Sequence, residues 1–406
     1  IIEFKLHLKM IVPKLLDIIS KCQKFHSTCF SGTVDKLHNI YTPAIMMIFG
    51  FIFLLKSIVR NDFRCMTNDD MFFDNYVNNY CWVKGTIALL PNETIPNSPP
   101  EWESLISQYH TNHIQMFRPI LIILSIIFYI PHIIWIVKCF EDNGVDFYRE
   151  ALNSLASKDE FGEARKQKIS MISKGFQAAI NTTRINQLNL RSKIVAFISR
   201  FCVFLTFSKK HGTWITSWYI TKKVLNVINC VLQLVILEFI FTYRVRNSFS
   251  APNFIIQRLL FGKTWEETRA FPRHTFCFID DFMAMVQFNT YAFNCNLSEN
   301  VINEFTFIAI YLWMSVMLVI SIYSLYKWIM RIFNRKVRTD YIANIVSSKI
   351  ENLDQNLMET FVNDYLKNDA VFTLMMIEKN VSHSFATDLT TSIFNDYSEL
   401  LEGKTL

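Results

Sequence analysis

Four apolar runs stand out along the chain, separated by long polar segments. They are 43–59 (PAIMMIFGFIFLLKSIV), 119–137 (PILIILSIIFYIPHIIWIV), 224–243 (VLNVINCVLQLVILEFIFTY) and 304–326 (EFTFIAIYLWMSVMLVISIYSLY). A helix needs about 20 apolar residues to cross bilayer hydrocarbon, so each run predicts one span. Lys56 sits near the end of the first run, where its long stem can snorkel to the interface. Pro131, inside the second, removes a backbone hydrogen bond and predicts a kink. In the third, Asn226, Asn229 and Gln233 share one helical face and are expected to hydrogen-bond a neighbouring helix. Glu238 lies close enough to the end of that run to reach headgroups. A fifth run, 194–207, is short and broken by Arg200, and reads as an interfacial helix. Segments 138–223 and 327–406 alternate apolar and charged residues at helical spacing. Leu366, Val371, Phe372, Leu374, Met375 and Ile377 predict packed helices there, forming a helical dome.

Charge sets the orientation. Lys and Arg number 6 in 1–42, 4 in 60–118, 15 in 138–223, 6 in 244–303 and 9 in 327–406. The basic excess places 1–42, 138–223 and 327–406 in the cytoplasm, and 60–118 and 244–303 outside. Both termini are then cytoplasmic. The expectation is an all-α polytopic membrane protein with four transmembrane helices. The chain begins at Ile1, with Met10 as a candidate initiator. Residues 1–19, interrupted by Lys5, Lys9 and Lys14, lack the apolar core of a cleaved signal. The net charge is only +6, and no basic run marks a nucleic-acid surface.

This topology sorts the cysteines. Cys22, Cys29, Cys139 and Cys202 fall in the reducing cytosol and Cys230 in the third span. Each outside loop holds two: Cys65 and Cys81, then Cys277 and Cys295. Four cysteines permit three disulfide connectivities, and the spacing does not choose among them. The spacings lack the close Cys pairs of a zinc site; neither a metal nor a cofactor is expected. There is no His box, no paired intramembrane acid and no nucleotide-binding glycine loop, so the chain is not read as an enzyme.

Six segments, in order, resemble the innexin family of invertebrate gap-junction and hemichannel proteins. They are VDKLHNIYTPAIMM (34–47), NYCWVKGTI (79–87), FYIPHIIW (128–135), LLFGKTWEETRAFPRHTFC (259–277), NEFTFIAIYLW (303–313), and DYLKNDAVFTLMMI (364–377) followed by FATDLTT (385–391). The sequence departs from the family at 113–119, which reads HIQMFRP and keeps only Gln115 and Pro119, and at Ala370, where a glycine is expected.

The resemblance implies disulfide-braced extracellular loops with Cys65 paired to Cys295 and Cys81 to Cys277. It implies a plasma-membrane ring of eight subunits, homomeric or heteromeric, around a wide aqueous pore, docking to the hemichannel of an adjacent cell. The alternatives are a non-conducting or obligate-heteromeric partner subunit, or an adhesion protein using the docking loops. An amino-terminal pore-mouth helix makes Lys14, Asp17, Lys21 and Lys24 candidate pore-lining residues, with Lys56 near the outer end of the first span. Sequons at Asn92 and Asn296 fall outside and are candidate glycosylation sites. Asn296 is adjacent to Cys295, and burial there would silence it.

Overall fold

The computed structural model describes residues 32–59, 63–66, 71–88, 117–140, 163–185, 212–242, 251–262, 271–280, 290–350, 354–380 and 382–402. From Gly32 the chain forms α1 (Thr33–Lys36), widens into a π turn (Leu37–Tyr41) and continues as α2 (Thr42–Val59). Pro43 has no N–H to return to Asn39, and the turn before it loosens accordingly. Next come β1 (Phe63–Cys65), α3 (Met71–Lys84), α4 (Phe117–Phe140), α5 (Glu163–Ile185), α6 (Trp214–Thr242) and α7 (Ala251–Phe261). The remainder is β2 (His274–Asp280), β3 (Thr290–Leu297), α8 (Glu299–Phe333), α9 (Arg335–Ser347), α10 (Gln355–Thr360), a second π turn (Phe361–Leu366), α11 (Lys367–Asn380) and α12 (His383–Glu402).

Helices α2, α4, α6 and α8 carry the four apolar runs. Among the described residues, Trp214–Phe239 and Glu299–Phe333 are long and apolar enough to cross a membrane, and Ile120–Trp135 is a shorter apolar stretch. Pro131 is buried inside α4 and does not end it. Helix α6 begins at Trp214, ahead of the apolar run that starts at 224. The expectation of an all-α chain needs one correction. Strands β1, β3 and β2, in that spatial order, form a three-stranded antiparallel sheet. β1, with three residues, is too short to carry a readable alternation, and β2 and β3 lie in the segment 244–303, where the sequence reading rests on cysteines, a sequon and the family resemblance rather than on periodicity.

The chain divides into two compact units. One comprises 40–129 and 227–319 and contains the sheet. In it, α2 approaches α4 at Gly50, where a Cβ would lie 2.8 Å from Ile122 Cγ1; a small residue permits this closeness between helices. The buried Gln233 Nε2 donates to the Leu124 carbonyl of α4 at 2.9 Å, an interhelix bond from the polar face of α6. Half-buried Glu238 accepts from Ala251 N at 2.8 Å and so caps α7. Glu304, buried at the head of α8, pairs with Arg258 Nε at 3.0 Å and Arg273 Nη2 at 3.7 Å. Both arginines come from the segment preceding β2.

The other unit comprises 1–39, 130–226 and 320–406. Its core joins α5, the first half of α6, the end of α8 and helices α9 to α12. Ile169, Ile172, Phe176 and Ile180 form one buried face of α5. Leu366, Val371, Phe372, Leu374, Met375 and Ile377 are all buried in the same core. Rim contacts fasten α5 to α12: Arg165 Nη2 pairs with Asp388 at 2.7 Å, and Ser173 Oγ donates to Asp396 at 3.1 Å. Arg338 donates to the Ile332 carbonyl at 2.9 Å and to Asn363 Oδ1 at 3.0 Å, closing the carboxyl end of α8 with a cation.

Gly50→Val should overpack the α2–α4 contact and cost about 1–3 kcal/mol. The purified full chain would then melt at a lower temperature while Ile122→Ala, combined with it, recovers part of the loss.

Candidate functional site

The sheet is built from two remote segments of the chain. Strand β1, α3 and a bridge at Ile87 come from the first loop; β2 and β3 come from the second. In β1, Cys65 lies directly opposite Cys295 of β3, and the two form a disulfide. In β2, Cys277 forms the second disulfide, with Cys81 on α3. All four are buried in one cluster with Phe63, Val77 and Ile279. Trp82 packs edge-on against Phe63, with centroids 5.7 Å apart. Backbone bonds complete the tie: Ile87 and Phe276 exchange N–H···O pairs at 2.8 Å each. Asn78 Oδ1 accepts from Cys65 N at 2.7 Å, satisfying a donor on the edge strand β1. The sulfurs of Cys65, Cys81 and Cys295 lie within 4.8 Å of one another, but each is spent in a disulfide and offers no thiolate to a metal.

Asn296 pairs in register with Arg64 and His274, and its side chain is exposed while Cys295 beside it is buried. Alternation along the strand produces this difference, so burial does not silence the sequon. Lys14, Asp17, Lys21, Lys24 and Asn92 lie outside the described residues. Lys56 belongs to α2, and its side chain also lies outside them.

The second unit holds a buried charge junction that sequence reasoning missed. Asp35 is 0% exposed, and the side chains of Lys222 and Lys223 are 1% and 3% exposed. Lys223 Nζ is 2.7 Å from Asp35 Oδ1, and Lys222 Nζ is 3.9 Å from Oδ2. Tyr219 Oη donates to Oδ2 at 2.7 Å and Gly32 N at 3.0 Å. Lys223 also donates to Ser324 Oγ of α8 at 2.8 Å. Burial alone pushes the Asp35 carboxyl up, but the two ammoniums and the donated hydrogen bonds together hold it well below the usual carboxylate range.

The aromatic rings of Trp135, Trp328 and Phe372 pack around Tyr219, at 5.5, 4.9 and 4.9 Å between centroids. One turn on, buried His38 meets Asn39 Oδ1 at 3.0 Å and the Asn226 carbonyl at 3.2 Å. Burial pulls its pKa down to about 4 against these two bonds.

A latch joins the tail helices to the start of α6. Asp369 of α11 accepts from Thr216 N at 3.0 Å and Thr216 Oγ1 at 2.6 Å, while its own N–H donates to the Gly212 carbonyl at 2.9 Å. The exchange satisfies amides that the first turn of α6 would otherwise leave open. Gly212 has φ +62, and a Cβ there would lie 3.1 Å from Lys367 Cδ. Lys222 and Lys223 carry no local sign of burial, standing at the end of the basic segment 138–223 just before an apolar run. Asp35 and Asp369 carry none either, since nothing in their local spacing names partners far along the chain.

Among the described residues, two helices long and apolar enough to cross a membrane, in a chain whose sheet is held by two disulfides, fit the class of polytopic membrane proteins. The innexin family model matches residues 32–397, and the chain belongs to that family, the subunits of gap junctions and hemichannels. It is 26% identical over 379 residues to innexin unc-9 of Caenorhabditis elegans, covering 91% of this chain and 93% of that protein. It is 24% identical to innexin-11 of the same organism, covering 89% and 78%. It is 25% identical to innexin-19 of Caenorhabditis briggsae, covering 90% and 86%.

Replacing Cys65 and Cys295 together by Ser should cost about 2–5 kcal/mol, read as faster proteolysis of the first loop in the purified protein. His38 gives a pH dependence. Its folded pKa lies below the unfolded 6.5, so neutral His38 contributes fully above pH 6.5 and the contribution is lost as pH falls toward about 4. Acidification from pH 7.5 to 5 should cost about 2 kcal/mol through this group, and the melting temperature of His38→Gln should fall less over the same range.

Proposed function

We propose that α2, α4, α6 and α8 cross the plasma membrane, with both termini cytoplasmic and the disulfide-bonded sheet outside. Eight copies form a ring around an aqueous pore that passes ions and small molecules. The ring opens to the exterior as a hemichannel or docks through its sheets to a ring on an adjacent cell. The observation that carries this reading is the sheet itself: two disulfides fuse both outside loops into one rigid surface at the ends of apolar helices. Such a surface suits docking, because little conformational entropy remains to be lost on contact. The spans are 43–59, 119–137, 224–243 and 304–326, and the tail helices with α5 form a cytoplasmic dome.

In a symmetric ring each pore-facing residue acts as a ring of charge. Lys14, Lys21 and Lys24, opposed by Asp17, would favour anions at the pore mouth, and Lys56 would add a basic ring near the outer end. A glycan on Asn92 or on the exposed Asn296 would hold opposing rings apart and leave a single-membrane channel. The altered segment 113–119 supports a second reading, a subunit that conducts only beside another innexin.

The test is membrane current and dye uptake in isolated cells expressing this chain alone, in low external calcium. Current with uptake, abolished in Cys277→Ser, is the expected result. Silence despite surface delivery overturns self-sufficiency, and restoration by a co-expressed innexin then selects the partner reading.

A further inference from the structure

The end of α8 and the tail helix α11 bring together a group of cations that the channel reading does not use. Lys327 and Arg331 stand four residues apart on α8 and so share a face. Lys379 of α11 reaches back over the buried Trp328, with Nζ 4.4 Å from the ring. Lys327 lies over Tyr323 at 6.0 Å. Lys223 of α6 is the fourth cation, buried beneath. Desolvation first, and then the charges of Arg331, Lys223 and Lys327, press the Lys379 pKa down to about 8. These are like charges held close enough to feel one another.

Nearby carboxylates are already engaged. Asp35 is bound by Lys223, Tyr219 and Gly32. Glu378 accepts from Tyr341 Oη and meets His383 Nδ1 at 2.9 Å. Among the described residues, no carboxylate lies within ion-pair distance of Lys327, Arg331 or Lys379. Cations from two helices, set over an aromatic floor with no carboxylate in ion-pair contact among the described residues, make a site for an external anion. Lys379 and Arg331 supply several N–H donors suited to phosphate oxygens.

We infer that Lys327, Arg331 and Lys379 bind a phosphate group, carried either by an acidic phospholipid headgroup or by a soluble phosphate compound. Lys327 is exposed, as are Ile322, Tyr323 and Tyr326 around it on α8, the aromatic and apolar surrounding expected where a span meets headgroups. The lipid source rests on the proposed topology, which puts this end of α8 at the cytoplasmic leaflet, where acidic lipids concentrate. The soluble source does not rest on it. A bound phosphate would tie α11 to α8 and couple the dome to the fourth span.

The experiment uses the purified full chain in neutral detergent and follows its melting temperature against three probes: dioctanoyl phosphatidic acid, inorganic pyrophosphate and dioctanoyl phosphatidylcholine. Phosphatidic acid should raise the melting temperature and phosphatidylcholine should not. Lys327→Gln, Arg331→Gln and Lys379→Gln combined should weaken the apparent affinity roughly 100-fold, while Lys379→Arg retains it. A rise with phosphatidic acid alone assigns the lipid source, and an equal rise with pyrophosphate assigns a soluble one. No rise with either, or a triple variant that responds as the parent does, overturns the site. Binding is read without conductance, so a silent channel leaves this result standing, and a conducting channel without binding refutes only the site.

Discussion

Two disulfides hold together parts of the chain that local structure could not. Cys65 and Cys295 are 230 residues apart, and Cys81 and Cys277 are 196 apart. Closing loops of that length in an unlinked chain costs conformational entropy, which covalent bonds remove from the unfolded state. Strand β1 has three residues, too few to persist without such a tie. Around the joined Cys65 and Cys295, α3, β2 and β3 pack against the sulfurs and bury Val77 and Ile279. The same unit also holds the two arginines on Glu304 and the cap that Glu238 places on α7.

The second unit depends on a different interaction. A carboxylate without exposure costs several kcal/mol unless it is paired and hydrogen-bonded. Asp35 meets that cost with two ammoniums, a phenol and a backbone amide. Because Lys223 also holds Ser324, one charge cluster binds the lead-in to α2, the first half of α6 and the end of α8. The Asp369 latch adds the tail. Breaking one partner would leave the others buried and uncompensated, so the cluster favours a single arrangement of these helices.

Hydropathy made the apolar cores of the four helices legible, because a run of apolar residues carries its own signature wherever it folds. It did not reveal that Lys222 and Lys223, just ahead of the third apolar run, lie buried against Asp35. It did not name the Ala251 amide as a partner of Glu238, because the two meet only when α6 and α7 pack together. The strands were missed because β1 has only three residues and its partners β2 and β3 lie more than 200 residues further along the chain.

The sequence by itself determined the apolar runs, the basic bias between segments, the two cysteines in each of 60–118 and 244–303, and the family resemblance. These are properties of composition and local order, which need no partner to be read. Tertiary structure alone decided how the cysteine sulfurs sit in a sheet, which lysine meets Asp35, which amide Asp369 caps, and that Asn296 faces outward. Each of these depends on groups brought together from distant positions, and local spacing carries no record of which distant group a side chain will meet.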